Sequence, residues 1–323
     1  MPKVYITSTI PDLAAKILKK AGATVRVNEN GKPISRDELK KVFAEYDAVL
    51  SSVVDKIDDD VLSCASPCLK IIANYAVGFD NIDVLAAKRR GIVVTNTPGV
   101  ACEAVAEHAF ALILACKKRL IVADKYVRTG KFKSFEAMLY VSPQLWGSTI
   151  GIVGLGRIGT YVGHMAYSGF KMNIIYHDIT RSQDFEMLTE AKQMPLVDLL
   201  RRSDVVTLHV PLTPTSRHLI GRRELRMMKE DAIFINTSRG AVVDEEALTL
   251  ALREKWIAGA GLDVYEHEPI VPHALTTLGN VILTPHIASA TSECRDVMAK
   301  IAAQNIIDVF DGKTPFGLVR VDQ

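Results

Sequence analysis

The sequence has no long hydrophobic run free of charge. Its longest apolar stretch, around 104–116, is interrupted by Glu107 and His108 and falls short of the ~20 apolar residues that a bilayer-spanning helix takes. It also has no block of like charge. Lys and Arg number 39 against 37 Asp and Glu, so charge makes no case for a nucleic-acid partner. The opening Met1-Pro-Lys-Val-Tyr-Ile6 reads directly as a strand, without the basic and apolar regions of a secretory leader. Cysteines are few, five in all and scattered. Cys64 and Cys68 are the only close pair, and no histidine joins them. This argues against a disulfide framework and against any metal cluster, and points to reduced thiols in a cytoplasmic protein. Low-complexity linkers and solenoid repeats are missing as well.

What is present is aliphatic sequence. Hydrophobic residues make up 48% of the 323 positions while aromatics are only 7%, enough apolar material for two cores. Short apolar runs alternate with helical patterns along the whole chain. Strands are expected over 4–8, 24–27, 48–51, 69–73 and 92–95, then over 149–154, 173–177, 205–210, 232–236, 259–264 and 281–284. Helical spacing fills the gaps, with Ser35 and Glu38 forming a capping-box pattern and Gly91 ending a helix over 81–90. One long helix is expected over 102–128, and others over 197–202, 223–228, 245–253 and 292–310. Repeated βα units imply parallel sheets covered on both faces. The fold class is therefore α/β, with two doubly wound parallel-sheet domains. The irregular stretch 130–146 carries Phe132, Phe135, Met138, Leu139 and Tyr140, which suggests a lid or an oligomer contact.

Gly154-Leu-Gly156-Arg157-Ile158-Gly159 follows an apolar run and opens a helix, the setting in which G-x-G-x-x-G binds a dinucleotide. Gly154 permits the tight turn, Gly156 lets backbone approach a pyrophosphate, and Gly159 lets helix and strand pack closely. The amides near Arg157 and Ile158 are placed to hold phosphate. Asp178 ends the next strand, in register to accept from an adenosine ribose. A carboxylate there repels a 2′-phosphate and favours NAD, whereas Arg181, three residues on, leaves NADP open.

Ligands of open α/β sheets bind beyond the carboxyl ends of the strands, and polar clusters lie at several such ends. Hydride transfer to a ketone needs a proton donor near neutral pH, for which histidine fits best. It needs a carboxylate to orient that imidazole and favour its charged form. It also needs a cation to hold the substrate carboxylate and polarise the carbonyl. His286, Glu268 and Arg239 supply one of each. His209 is a competing acid, placed earlier in the sheet where a wall against the cofactor is the better reading. His267 reads as exposed.

These residues sit in motifs that resemble the D-isomer-specific 2-hydroxyacid dehydrogenase family. The matching segments are Asn74-Tyr-Ala-Val-Gly-Phe-Asp-Asn-Ile-Asp83, Thr95-Asn-Thr-Pro98, the glycine loop through Gly159, Asn236-Thr-Ser-Arg-Gly-Ala-Val-Val-Asp244, Ala258-Gly-Ala-Gly-Leu-Asp-Val-Tyr265 and Leu283-Thr-Pro-His286. The resemblance covers nearly the whole chain and is nearest to the glyoxylate/hydroxypyruvate reductase branch. It implies a Rossmann NAD-binding domain over 100–287 and a flavodoxin-like substrate domain over 1–99 and 288–323. It implies that Arg239 binds the substrate carboxylate and carbonyl, that His286 is the acid/base, and that Glu268 pairs with it. It gives the Val77 and Gly78 amides to the substrate carboxylate, Asp263 to the nicotinamide carboxamide, and Val210, Thr237 and Ser238 to the cofactor lining. It further implies a homodimer. Val53, Val54 and 130–146 are expected to shape the side-chain pocket. The alternative readings are an NAD-sensing, corepressor-like binding protein or a related 2-keto acid reductase of different substrate.

Overall fold

The computed structural model describes residues 1–320; residues 321–323, the end of the expected substrate-domain segment, lie outside the described residues. The chain forms two compact units, Met1–Ala101 with the chain from Ala290 onward, and Cys102–Ser289.

The first unit holds five parallel strands, β1 (Lys3–Ile6), β2 (Thr24–Val27), β3 (Ala48–Ser52), β4 (Ile71–Tyr75) and β5 (Val93–Thr95), in the order β2-β1-β3-β4-β5. This is the flavodoxin-like order. β4 is buried along its whole length, as a strand covered on both faces must be. Helices Arg36–Glu45, Asp59–Leu62 and Val84–Arg89 supply one apolar layer with Phe43, Leu62 and Ala86. Helix Ser292–Phe310 packs against β4 and against helix Leu13–Lys20. The capping box at Ser35 and Glu38 forms as the spacing predicts.

The second unit is a seven-stranded parallel sheet: β6 (Thr149–Val153), β7 (Asn173–His177), β8 (Lys192–Gln193), β9 (Val205–Leu208), β10 (Ile233–Asn236), β11 (Gly259–Leu262) and β12 (Val281–Leu283). Its order is β12-β11-β10-β9-β6-β7-β8. The order reverses between β6 and β9, the switch point at which such sheets bind dinucleotides. Register then sets the site. Val153 pairs with both His177 and Leu208, Leu208 with Asn236, Asn236 with Leu262, and Leu262 with Leu283. One residue further on, the edge presents Gly154, Asp178, His209, Thr237, Asp263 and Thr284.

One expected helix is divided, and one strand forms that the apolar pattern does not announce. The helix expected over 102–128 is two helices, Cys102–Lys117 and Leu120–Arg128, broken where Arg119 takes a left-handed φ of 52°. Lys117, Lys118 and Arg119 place three cations where the first helix ends, and the negative end of its dipole favours them. Strand β8 carries no apolar alternation, and it forms by pairing with the edge of β7. The stretch 131–148 contains no helix or strand.

Candidate active site

The glycine turn is built by close contacts. Gly154 has φ of 92°, and a Cβ there would meet the His209 carbonyl oxygen at 2.7 Å. A Cβ on Gly159 would lie 2.2 Å from the Gly154 carbonyl oxygen. Gly156 differs. It caps helix Arg157–Phe170, and a Cβ on it would meet nothing within 4 Å. Packing within the chain therefore gives no reason for glycine at 156, whereas approach of a pyrophosphate does. The Arg157 and Ile158 amides, in the first turn, have no helical acceptor. At the end of β10, Thr237 is buried and its hydroxyl has no hydrogen-bond partner among the described residues. The open space at Gly156 and the orphaned Thr237 hydroxyl both fit a dinucleotide lying along this edge. Val210, whose side chain lies against Gly154, also belongs to the edge.

Asp178 accepts from the Leu155 amide at 2.6 Å and the Thr180 amide at 2.9 Å, so its carboxylate braces the glycine turn. Arg181 is turned onto Glu186, with contacts of 2.7–3.1 Å. This engages the cation that left NADP open in the sequence.

The loop after β10 is shaped by Asn236. Its amide group donates to the Arg239 carbonyl at 3.0 Å, and its oxygen accepts from the Ser238 amide and hydroxyl at 3.0 and 2.8 Å. Arg239 donates to the Ser238 carbonyl at 2.8 Å. The next residue must be glycine, because a Cβ on Gly240 would fall 1.9 Å from the Tyr265 carbonyl carbon. That contact presses the Arg239 loop onto the loop that carries Glu268.

Glu268 and His286 are brought together, Oε2 to Nδ1 at 2.8 Å. The other Glu268 oxygen accepts from the Tyr265 amide at 3.0 Å. Burial pushes the Glu268 carboxyl up. The His286 hydrogen bond and charge, the Tyr265 amide and the Arg239 charge outweigh this and hold it below the ordinary glutamate value. Glu268 is thus a carboxylate at neutral pH and no proton donor. His286 itself has φ of 54°, a conformation that non-glycine residues rarely adopt.

Asp263 is wholly buried. Its carboxylate accepts from the Thr284 hydroxyl at 2.6 Å and from the Ile287 and Ala288 amides at 2.9 and 2.8 Å. His108, on the helix Cys102–Lys117, reaches Asp263 at 3.4 Å and Thr284 at 3.1 Å. Burial raises the Asp263 carboxyl, but the hydrogen bonds from His108, Thr284 and the two amides prevail and lower it. In the sequence Asn236 and Tyr265 stand only as motif positions without a role, and His108 only as a polar side chain that interrupts an apolar run.

His209 does not compete with His286. Burial pushes it down to about 3, and its Nε2 lies 2.9 Å from the Thr207 hydroxyl. It stays neutral through the working range. His267 is exposed. In the first unit, the Asn96 and Asn74 side chains donate to the Val77 and Gly78 carbonyls at 2.7 and 2.9 Å, which fixes that loop. Val54 is exposed, and Val53 is half-buried.

Residues 110–288 match the sequence profile described as D-isomer specific 2-hydroxyacid dehydrogenase, NAD binding domain. A glyoxylate reductase of Thermofilum pendens is 48% identical over 321 residues, which is 98% of this chain and 94% of that protein. A crystal structure of a Thermus thermophilus protein is similar at a TM-score of 0.92 and 40% identity, covering 98% of this chain and all of that one. The NADPH-dependent glyoxylate/hydroxypyruvate reductase of Sinorhizobium meliloti, solved with NADP and malonate, is similar at a TM-score of 0.86 and 32% identity, covering 98% of this chain and 96% of that one.

Proposed function

The chain belongs to the D-isomer-specific 2-hydroxyacid dehydrogenase family, and from that membership we propose that it reduces a small 2-keto acid of the glyoxylate or hydroxypyruvate kind to the D-2-hydroxy acid. The observation that carries the reading is the His286–Glu268 pair at 2.8 Å, on the same sheet edge as a glycine turn left open at Gly156.

A reduced nicotinamide dinucleotide, if held at this edge, would supply the hydride for the carbonyl carbon. The chain's residues do the rest. Gly154, Gly156 and Gly159 shape the turn, and the Arg157 and Ile158 amides take the pyrophosphate. Asp178 takes the adenosine ribose, and Val210, Thr237 and Ser238 line the cofactor. Asp263 takes the nicotinamide carboxamide, and its carboxylate also fixes the loop through His286. Arg239 binds the substrate carboxylate and polarises the carbonyl. The Val77 and Gly78 amides are the first unit's substrate-binding groups. Because His286 Nδ1 faces Glu268, Nε2 carries the proton that passes to the developing alkoxide. Glu268 remains ionised and balances the imidazolium. NAD is the favoured cofactor, since Asp178 repels a 2′-phosphate, although the Sinorhizobium meliloti relative uses NADPH.

We place the enzyme in the cytoplasm as a homodimer. No helix among the described residues is long and apolar enough to cross a membrane, and the five cysteines remain thiols, as a reducing compartment keeps them. Helix Leu120–Arg128 buries none of its residues, and Ile121, Phe135 and Met138 are 60%, 87% and 80% exposed. An apolar surface of this kind calls for a partner. Light scattering on the purified protein tests the dimer.

A panel of 2-keto acids with NADH and NADPH, followed by the loss of nicotinamide absorbance, tests the activity. Glyoxylate or hydroxypyruvate should turn over, faster with NADH. If no keto acid reacts with either cofactor, the reading is wrong, and a nicotinamide-driven change in oligomer state would then favour a sensor.

A further inference from the structure

The segment after β7 contains a second charged pair beside the ribose-binding position. Arg181 is the sole basic residue between 178 and 191. Both of its contacting nitrogens, Nε and Nη2, point at Glu186, at 3.0 and 2.7 Å from Oε2. An exposed ion pair is usually weak, because two mobile side chains must be held together in water. Here only one of the two is mobile. The Arg181 side chain is 62% exposed and that of Glu186 only 15%.

Glu186 is anchored from below. Tyr176, fully buried in β7, donates its hydroxyl to Glu186 Oε1 at 2.8 Å and accepts from the Ser182 amide at 3.0 Å. Glu186 sits on helix Gln183–Thr189, which is pinned by buried Phe185 and Thr189. The carboxylate therefore cannot follow the guanidinium outward. For Arg181 to reach a phosphate beside Asp178, it must leave a fork-shaped, charge-assisted contact.

We propose that Glu186 is a cofactor-selectivity residue: it sequesters Arg181 and so withholds the cation that a 2′-phosphate requires. The inference rests on the nucleotide site proposed above. Selection against NADP then has two parts. Asp178 repels the 2′-phosphate directly, and Glu186 removes the compensating charge. Tyr176 acts through Glu186 and is a positioning residue.

Binding of 2′,5′-ADP and of 5′-ADP, measured by titration calorimetry without keto acid, tests this. Glu186→Gln keeps an oxygen for the Tyr176 hydroxyl but drops the charge. It should bind 2′,5′-ADP about tenfold more tightly than the native protein, the scale of one charge-assisted hydrogen bond. Its affinity for 5′-ADP should stay within about twofold. The double variant Arg181→Ala with Glu186→Gln should lose the gain. Unchanged 2′,5′-ADP affinity in Glu186→Gln, or a gain that survives without Arg181, overturns the proposal. Failure of the native protein to bind 5′-ADP overturns the nucleotide site itself, and the proposal with it.

Discussion

Asp263 grips the chain at His286 with both its backbone and its side chain. Its carbonyl accepts the His286 amide at 2.9 Å, and its carboxylate accepts the two amides that follow, at 2.9 and 2.8 Å. The grip has a purpose, because the left-handed backbone of His286 costs on the order of 1 kcal/mol and persists only where the surroundings fix it. Asp263→Asn presents an amide group to donors that need an acceptor. We expect a loss of about 1–3 kcal/mol in unfolding free energy and a kcat fall of up to ~10²-fold from misplacement of the imidazole. Steady-state kinetics and urea titration check both. A variant with native kcat would show that the grip does not serve His286.

In the proposed mechanism Glu268 orients His286 through their 2.8 Å contact, so its replacement should be milder than loss of the imidazole. His286→Ala should lower kcat by about 10²-fold or more, and Glu268→Gln by less. The Glu268 carboxyl is held below its ordinary value, so the carboxylate that faces His286 persists through the usual glutamate range and is lost only as pH falls through the lowered value. Reduction should accordingly survive mild acid in the native enzyme. A pH–rate profile whose acid limb already falls above the usual glutamate range would contradict this.

Two glycines should respond in opposite ways. Gly240→Ala drives a methyl into the Tyr265–Glu266 backbone and should destabilise by about 1–3 kcal/mol. Gly156→Ala meets nothing in the chain and should unfold at the native temperature, yet bind NADH at least ~10-fold more weakly, as a methyl in the path of the pyrophosphate requires. Thermal melts paired with NADH titrations separate the two. Native NADH affinity in Gly156→Ala would remove the pyrophosphate from this turn.

His209 gives a signature in stability. Its folded value of about 3 lies far below the ordinary imidazole range, so the unfolded chain binds the extra proton. Its contribution is complete above the unfolded value and is lost as pH falls toward the folded one. About 2 kcal/mol should go between about pH 7 and about pH 5. His209→Gln should flatten that slope in denaturant titrations, and an identical slope would show that the imidazole is not held neutral.

Much of this was legible in the sequence where an element carries its own local pattern. The ranges 24–27, 173–177, 245–253 and 292–310 coincide with observed elements, because parallel strands and capped helices carry their apolar pattern locally. The break at Arg119 was not, since the apolar residues of 120–128 continue the helical spacing while the face they form stays exposed. The glycine loop and the residues Arg239, Glu268 and His286 stood out because each ends a strand or begins a loop. Their supports did not. Asp263 draws its donors from a loop more than twenty residues away, His108 reaches it from another helix, and Glu186 captures Arg181 from the next element. The contacts of Asp263 depend on how distant elements are brought together, and that of Glu186 on how the loop after β7 turns into its helix, which no apolar pattern reveals.

The proposed function turns on His286 as the proton donor to a 2-keto acid during nicotinamide-dependent reduction. The most direct measurement incubates the native protein and His286→Gln with hydroxypyruvate and NADH, then resolves the product on a chiral phase. D-glycerate should form in one-to-one proportion with the NADH consumed, at a rate at least ~10²-fold lower in the variant. L-glycerate, or a His286→Gln variant with native turnover, would contradict it.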